Sequence, residues 1–271
     1  MSNKIKKIVG ISLVALALIS CQNKDIENNP TSSITTMAVL DTNTVYFFGH
    51  QSVGENITDG LSTITAKSNT IREFNLSNIN SEKPFDSPGF YHCKIGENRQ
   101  PMKKISDFIS VVTNNPQISI AGMKFCYVDV VDTTNIAALF NDYTNEIDKL
   151  ISNHPNTIIF HSTVPLRKVK TGFKTWIKET FMGKEYGKKD NIAREKFNQL
   201  IRNKYDKAII FDLAKIEATN PEGTVTSFKQ NNDEWMALSP AYTNDGGHLN
   251  DLGQATVAKS FIAFLSSLKQ K

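Results

Sequence analysis

Short, wholly apolar runs alternate along this chain with longer stretches in which apolar residues recur at helical spacing. Thr44-Val45-Tyr46-Phe47-Phe48 is β-branched and aromatic and reads as a buried strand, broken at Gly49. Helical spacing follows over Ile57 to Ala66, and Thr70 to Leu76 reads as a short strand. Ser77 to Gln100 carries Pro84, Pro88, Gly89 and Gly96 and reads as an insertion or a site loop. Pro101 is placed to open a helix in which Ile105, Phe108, Ile109 and Val112 share one face. A buried strand is predicted over Met123 to Val130, a helix over Ile136 to Ile151 and a strand over Thr157 to His161. A helix over Ile192 to Tyr205, a strand over Ala208 to Leu213 and a closing helix over Asp251 to Leu268 complete the pattern.

Strands that alternate with helices of ten or more residues form parallel sheets covered on both faces. The predicted fold class is therefore α/β, a flavodoxin-like three-layer sandwich with a mostly parallel five-stranded sheet. In such sheets ligands bind at the carboxyl ends of the strands. Ser52, Asp129, Asp132, His161, Ser162 and Asp212 are the polar residues that fall there.

The first residues do not belong to this pattern. Lys4, Lys6 and Lys7 precede the apolar segment Ile8 to Ile19, which is too short to span a bilayer comfortably. It ends in Leu18-Ile19-Ser20-Cys21, which resembles a bacterial lipobox. The resemblance implies a lipoprotein signal over residues 1–20, lipidation at Cys21 and export to the cell envelope, on the periplasmic or outer-surface membrane face. An ordinary secretory signal with a coincidental cysteine is the alternative. Residues 21–40 lack apolar periodicity and read as a flexible tether, leaving 41–271 as one domain.

Composition changes the picture in two ways. Loss of residues 1–20 removes three lysines and lowers the formal net charge from +4 to +1, so the charge offers no case for nucleic-acid binding. Beyond Cys21 only Cys93 and Cys126 remain, which is no disulfide framework. They could pair in an oxidising compartment, or Cys126 could be a small buried residue, the reading preferred here.

Two stretches carry candidate chemistry. After the first strand comes the polar tip His50-Gln51-Ser52, then Gly54 and a helix. A serine on such a turn lies where free helix N–H groups can stabilise an oxyanion, although it could serve only as a cap. Near the other end, Asn244-Asp245-Gly246-Gly247-His248-Leu249-Asn250-Asp251-Leu252-Gly253 precedes the last helix. An Asp and a His three apart, with glycines between, can turn the carboxylate under the imidazole. The same run could be a turn followed by a cap at Asn250 or Asp251, but capping does not account for His248.

Together these stretches resemble the SGNH (GDSL-like) hydrolases, from about Thr44 to the end, and the Asp-x-x-His-Leu-Asn-x-x-Gly run is the specific part. The resemblance implies ester hydrolysis without cofactor or metal: Ser52 attacks, His248 moves the proton and Asp245 orients His248. Two departures stand out. The first block reads Gly49-His50-Gln51-Ser52 in place of Gly-Asp-Ser, and Cys126-Tyr127-Val128-Asp129 puts Val where an oxyanion-hole Asn is expected. Gly96 and Asn98 are the candidates for the missing oxyanion donors, beside the Ser52 N–H.

Other readings have less behind them. Gly-x-x-Ser-x-Gly around Ser52 is one residue off the α/β-hydrolase elbow. His50, His92, His161 and His248 fall in loops or at strand ends, but without metal-ligand spacing. His50 is a candidate substrate-binding residue beside the serine. The basic, aromatic stretch Arg167 to Lys189 is either a lid, with Trp176 as a candidate sugar platform, or a solvated insertion. The expected partner is an ester-bearing small molecule or glycan, with acetyl esters of carbohydrates favoured, and the membrane is met through the lipid anchor. The rival from another class is a non-catalytic surface lipoprotein that binds carbohydrate on the same fold.

Overall fold

A computed structural model describes residues 39–68, 73–75, 85–170 and 187–268. Cys21 and the leader, most of the tether and Trp176 lie outside the described residues. Of the tether, Val39 and Leu40 are described; Val39 is exposed and Leu40 is buried with the core.

Six strands form one sheet in the order β2-β3-β1-β4-β5-β6, every neighbouring pair parallel. They are β1 (Val45–His50), β2 (Glu73–Asn75), β3 (Gly89–Lys94), β4 (Ile120–Met123), β5 (Ile158–Ser162) and β6 (Ile210–Phe211). The α/β sandwich expected from the alternation is therefore present, with one more strand than expected. The extra strand, β3, lies within the stretch read as irregular. Pro88 and Gly89 hide its start, and His92 interrupts its apolar run. Both faces are nonetheless covered: Tyr91 and Cys93 enter one core, Phe90 the other.

Helices α1 (Val53–Ser68), α5 (Leu213–Ala218) and α6 (Asp251–Ser267) cover one face. Helices α2 (Pro101–Asn114), α3 (Ile136–Asn153) and α4 (Lys188–Lys204) cover the other. Phe48, Phe160, Phe211 and Phe261 cluster under the first layer, and Phe47 meets Phe85 and Phe108 under the second. A short antiparallel pair, β7 (Ser227–Gln230) and β8 (Asp233–Met236), stands apart from the main sheet.

Two predicted strands fall differently: the one expected over Met123 to Val130 lies before that range, at Ile120–Met123, and the one expected over Ala208 to Leu213 is reduced to Ile210–Phe211. β4 ends at Met123, and Lys124 to Val130 leaves the sheet as a buried loop whose apolar content resembles strand in the sequence. The stretch read as a strand over Ala208 to Leu213 begins as a turn of 3-10 helix, with Asp206 accepting from the Ala208 N–H at 2.9 Å. It ends at Asp212, which caps α5. Cys93 and Cys126 are buried free thiols, and burial pushes the Cys93 thiol up to about 12.

Helices α1 and α6 pack at Gly60, where an added Cβ would lie 2.5 Å from the Gln254 carbonyl oxygen and 2.9 Å from the Ala258 Cβ. Gly60→Ala therefore forces the helices apart. Overpacking of this kind costs about 1–3 kcal/mol, offset in part by the roughly 1 kcal/mol that alanine gains in a helix. Because the clash is with backbone, the upper end applies, and urea unfolding is expected to show a net loss of about 2 kcal/mol. An unchanged midpoint would contradict the packing.

Candidate active site

β1 lies between β3 on one side and β4 on the other, so its carboxyl end is where the chain's crossovers diverge. Ser52 follows there at the N-terminus of α1. Its φ of 51° is in the left-handed region, which non-glycine residues seldom occupy and which concentrates at functional sites. The chain can double back this tightly because Gly54 has no side chain: a Cβ there would sit 2.3 Å from the His50 Cβ.

The loop before α6 brings the second half of the site. Ser52 Oγ and His248 Nε2 are 2.8 Å apart, and His248 Nδ1 and Asp245 Oδ2 are 2.6 Å apart. The other carboxylate oxygen, Oδ1, accepts from the backbone N–H groups of Gly247 and His248, both at 2.8 Å. Asn56, one turn into α1, accepts from the Leu249 N–H at 3.1 Å and ties the histidine loop to the serine helix. Asn250 caps α6 by accepting from the Gly253 N–H. The cap at Asn250 and the carboxylate under the His248 imidazole are thus both present, on neighbouring residues.

The His248 hydrogen bond, reinforced by the two N–H groups, holds the Asp245 carboxyl well below the usual carboxylate range. Ionised Asp245 accepts the Nδ1 proton, so Nε2 is free to accept from the Ser52 hydroxyl. Both Asp245 and His248 are about half exposed, at 57% and 47% of their side chains, so the site is open to solvent.

The loops on either side of Ser52 are fixed from beneath. Gln51 Nε2 donates to the carbonyls of Ile95 and Gly96 at 3.2 and 2.9 Å, and the Cys126 thiol donates to the Gln51 carbonyl at 3.3 Å. Below them, Asp129 is buried and joins the two loops. Its Oδ1 accepts from the Arg99 N–H at 2.7 Å, and its Oδ2 from the Cys126 N–H at 2.6 Å and from Lys104 Nζ. Lys104 is fully buried in α2 and also donates to Asn98 Oδ1 at 3.1 Å. Its position was a missed signal, since Lys104 precedes Phe108 by one helical turn and so belongs to the apolar stripe.

Three candidates from the sequence fall differently. His50 is 2% exposed, packs on Phe48 and pairs with His92 at 2.9 Å, so it lies under the site and cannot touch substrate. Burial and the neighbouring His92 hold its pKa well below the usual histidine value. The Gly96 N–H donates to Asp107 Oδ2 at 2.8 Å, which leaves no proton there for an oxyanion. Asn98 is exposed at the rim with its carbonyl oxygen held by Lys104, and among the described residues no acceptor takes the Ser52 N–H. Of the other polar strand ends, His161 is buried against Tyr143 and Tyr205, and Asp212 pairs with Arg202.

The irregular stretch Val164 to Arg167 reaches the histidine loop through Arg167, and its peptide groups are satisfied by buried side chains. Asn198 takes both polar groups of Val164, at 2.7 and 3.0 Å, and Glu217 accepts from the Leu166 N–H at 2.9 Å. Asn191 takes both groups of Arg167, at 3.0 and 2.6 Å. Burial raises the Glu217 carboxyl to about 8, against the pull of that N–H, Lys124 and Arg194. The folded state thus binds a proton that the unfolded chain has released. Stability from this group is complete at pH 4 and falls as pH rises from about 4.5 to about 8. Glu217→Gln is expected to remove this slope, which amounts to on the order of 2–4 kcal/mol between pH 5 and 8.5. Urea unfolding at both pH values measures it, and equal slopes in the two proteins would contradict the assignment.

No family model matches the chain, and no curated protein matches it. Solved structures resemble it in architecture. A lipase/acylhydrolase from Enterococcus faecalis shares 12% identity at a TM-score of 0.47, over 84% of this chain and 98% of that one. A protein from Desulfitobacterium hafniense, described as lipolytic and of the G-D-S-L family, shares 11% at 0.46 over 82% and 99%. The periplasmic domain of a lipopolysaccharide acetyltransferase from Salmonella ser. Paratyphi A shares 12% at 0.42 over 82% of each chain. At this identity, and with TM-scores below 0.5, these likenesses assign no role to any residue here.

Proposed function

We propose that this protein is an SGNH-like serine ester hydrolase. The observation that carries the reading is the continuous relay from Ser52 Oγ through His248 to Asp245, at 2.8 and 2.6 Å, between residues nearly two hundred positions apart. His248 Nε2 takes the Ser52 proton as Oγ bonds to the acyl carbon. The carbonyl oxygen becomes an oxyanion held by the Ser52 N–H and the Asn98 amide. When the C–O bond to the alcohol breaks, His248 returns the proton to the leaving oxygen. Water, activated by the same imidazole, then releases the acid and restores Ser52. Asp245 stays ionised throughout and stabilises the imidazolium.

The substrates proposed are small acyl esters, acetyl above all, on carbohydrate, and the open site suits an acyl group presented on a larger molecule. The leader reading adds a location, with lipidated Cys21 tethering the domain to the cell envelope. The test is release of p-nitrophenol from its acetate and butyrate by the purified protein and by His248→Ala and Asn98→Ala. His248→Ala is expected to be inactive, and Asn98→Ala to lose about a hundredfold in kcat/KM. Equal rates in all three proteins would refute the mechanism, and an unaffected Asn98→Ala would remove Asn98 from the oxyanion hole.

A further inference from the structure

Beside Asp245 the surface opens into a cavity of about 430 Å³ lined, among the described residues, by Arg167, Lys168, Lys170, Asn244 and Asp245, with Gly187 and Gly246. Three of these five side chains are cationic, and the one carboxylate among them is already engaged by His248 and two N–H groups. Neither Arg167 nor Lys168 forms an ion pair with any described residue. Cations on a loop usually mean only a solvated surface. Here the backbone that carries them is fixed, because buried Asn191 holds both peptide groups of Arg167. The Lys168 N–H and the Arg167 Nε both donate to the Gly246 carbonyl, at 3.0 and 3.4 Å.

Side-chain contacts link the cavity's wall to the reacting atoms. The Arg167 guanidinium lies over the Tyr127 ring at 5.2 Å, and that ring meets the His248 imidazole edge-on at 5.9 Å. His248 must reach the leaving oxygen to protonate it, so the alcohol half of an ester is the half placed over His248, whose partner Asp245 lines the cavity.

We propose that this cavity binds an anionic group, carboxylate or phosphate, on the alcohol half of the substrate. The protein then acts on acylated acidic alcohols, with Arg167 and Lys168 as the residues that set this specificity. Which half of the ester is held rests on the esterase reading above; the anion site does not.

The test uses full-length Ser52→Ala protein, which retains the cavity, titrated with 3-acetoxybenzoate, 3-acetoxyphenyl phosphate and the neutral 3-acetoxybenzamide. At least one anion is expected to bind about tenfold more tightly than the amide, and which one does so distinguishes a carboxylate from a phosphate. Adding Arg167→Gln and Lys168→Gln is expected to erase that preference, whereas Arg167→Lys with Lys168→Arg retains it, as a merely structural role would not require. Equal binding of all three compounds, or a preference that survives the double glutamine variant, overturns the proposal. With Ser52 intact, the same preference is expected in kcat/KM. Preferential binding without hydrolysis of any of the three would leave the anion site standing and remove the esterase reading.

Discussion

Ser52→Ala is expected to lower kcat/KM for p-nitrophenyl acetate by on the order of 10⁴-fold or more, leaving only what binding and the oxyanion donors contribute. The size of the effect follows from the relay: without Oγ there is no atom for the acyl group to bond to, and His248 has no proton to take. Folding is expected to be little changed. Alanine has the same Cβ at the same φ of 51°, so it bears the same backbone strain that serine bears now. Matching thermal unfolding of the two proteins would assign the lost activity to chemistry. Activity that survives the substitution would show that the nucleophile lies elsewhere.

Asp129→Ala is expected to cost about 3–5 kcal/mol of stability, because it leaves the Lys104 ammonium buried without its counterion. It also strips the acceptor from the Arg99 and Cys126 N–H groups, and with it the connection between the two loops that flank Ser52. The variant is therefore expected to lose esterase activity under conditions where it remains folded. The pair is there for geometry more than for stability. Replacing both partners by apolar residues, as Lys104→Met with Asp129→Leu, is expected to recover most of the lost stability but not the activity. Chemical denaturation and esterase assays on both variants decide this, and a double variant with full activity would show that the loops need no such tie.

What could be read from the sequence was local. The buried run ending in a glycine placed Ser52 at the end of β1, and the Asp-Gly-Gly-His spacing placed a carboxylate under an imidazole, because each depends on residues only a few positions apart. What could not be read depended on partners far along the chain. His50 is adjacent to the turn and looked available. However, β1 is central and covered on both faces, so its last side chain falls on the same side as Phe48 and meets His92 from the unrecognised strand β3. Gly96 looked like a free donor until α2 supplied Asp107 to take its N–H. Asn191, Arg194, Glu195 and Asn198 are polar enough to suggest a solvated helix face, yet all four are buried. Asn191 and Asn198 hold the irregular backbone from Val164 to Arg167, and a pattern of apolar positions cannot show that.

The central claim is that Ser52 is the nucleophile of an esterase. The most direct measurement is to label the native protein with a fluorophosphonate and map the adduct by peptide mass spectrometry. A covalent phosphonyl adduct on Ser52, lost when His248 is replaced by alanine, is the result that a Ser52 nucleophile requires. An unlabelled protein, or an adduct at another residue, would contradict it.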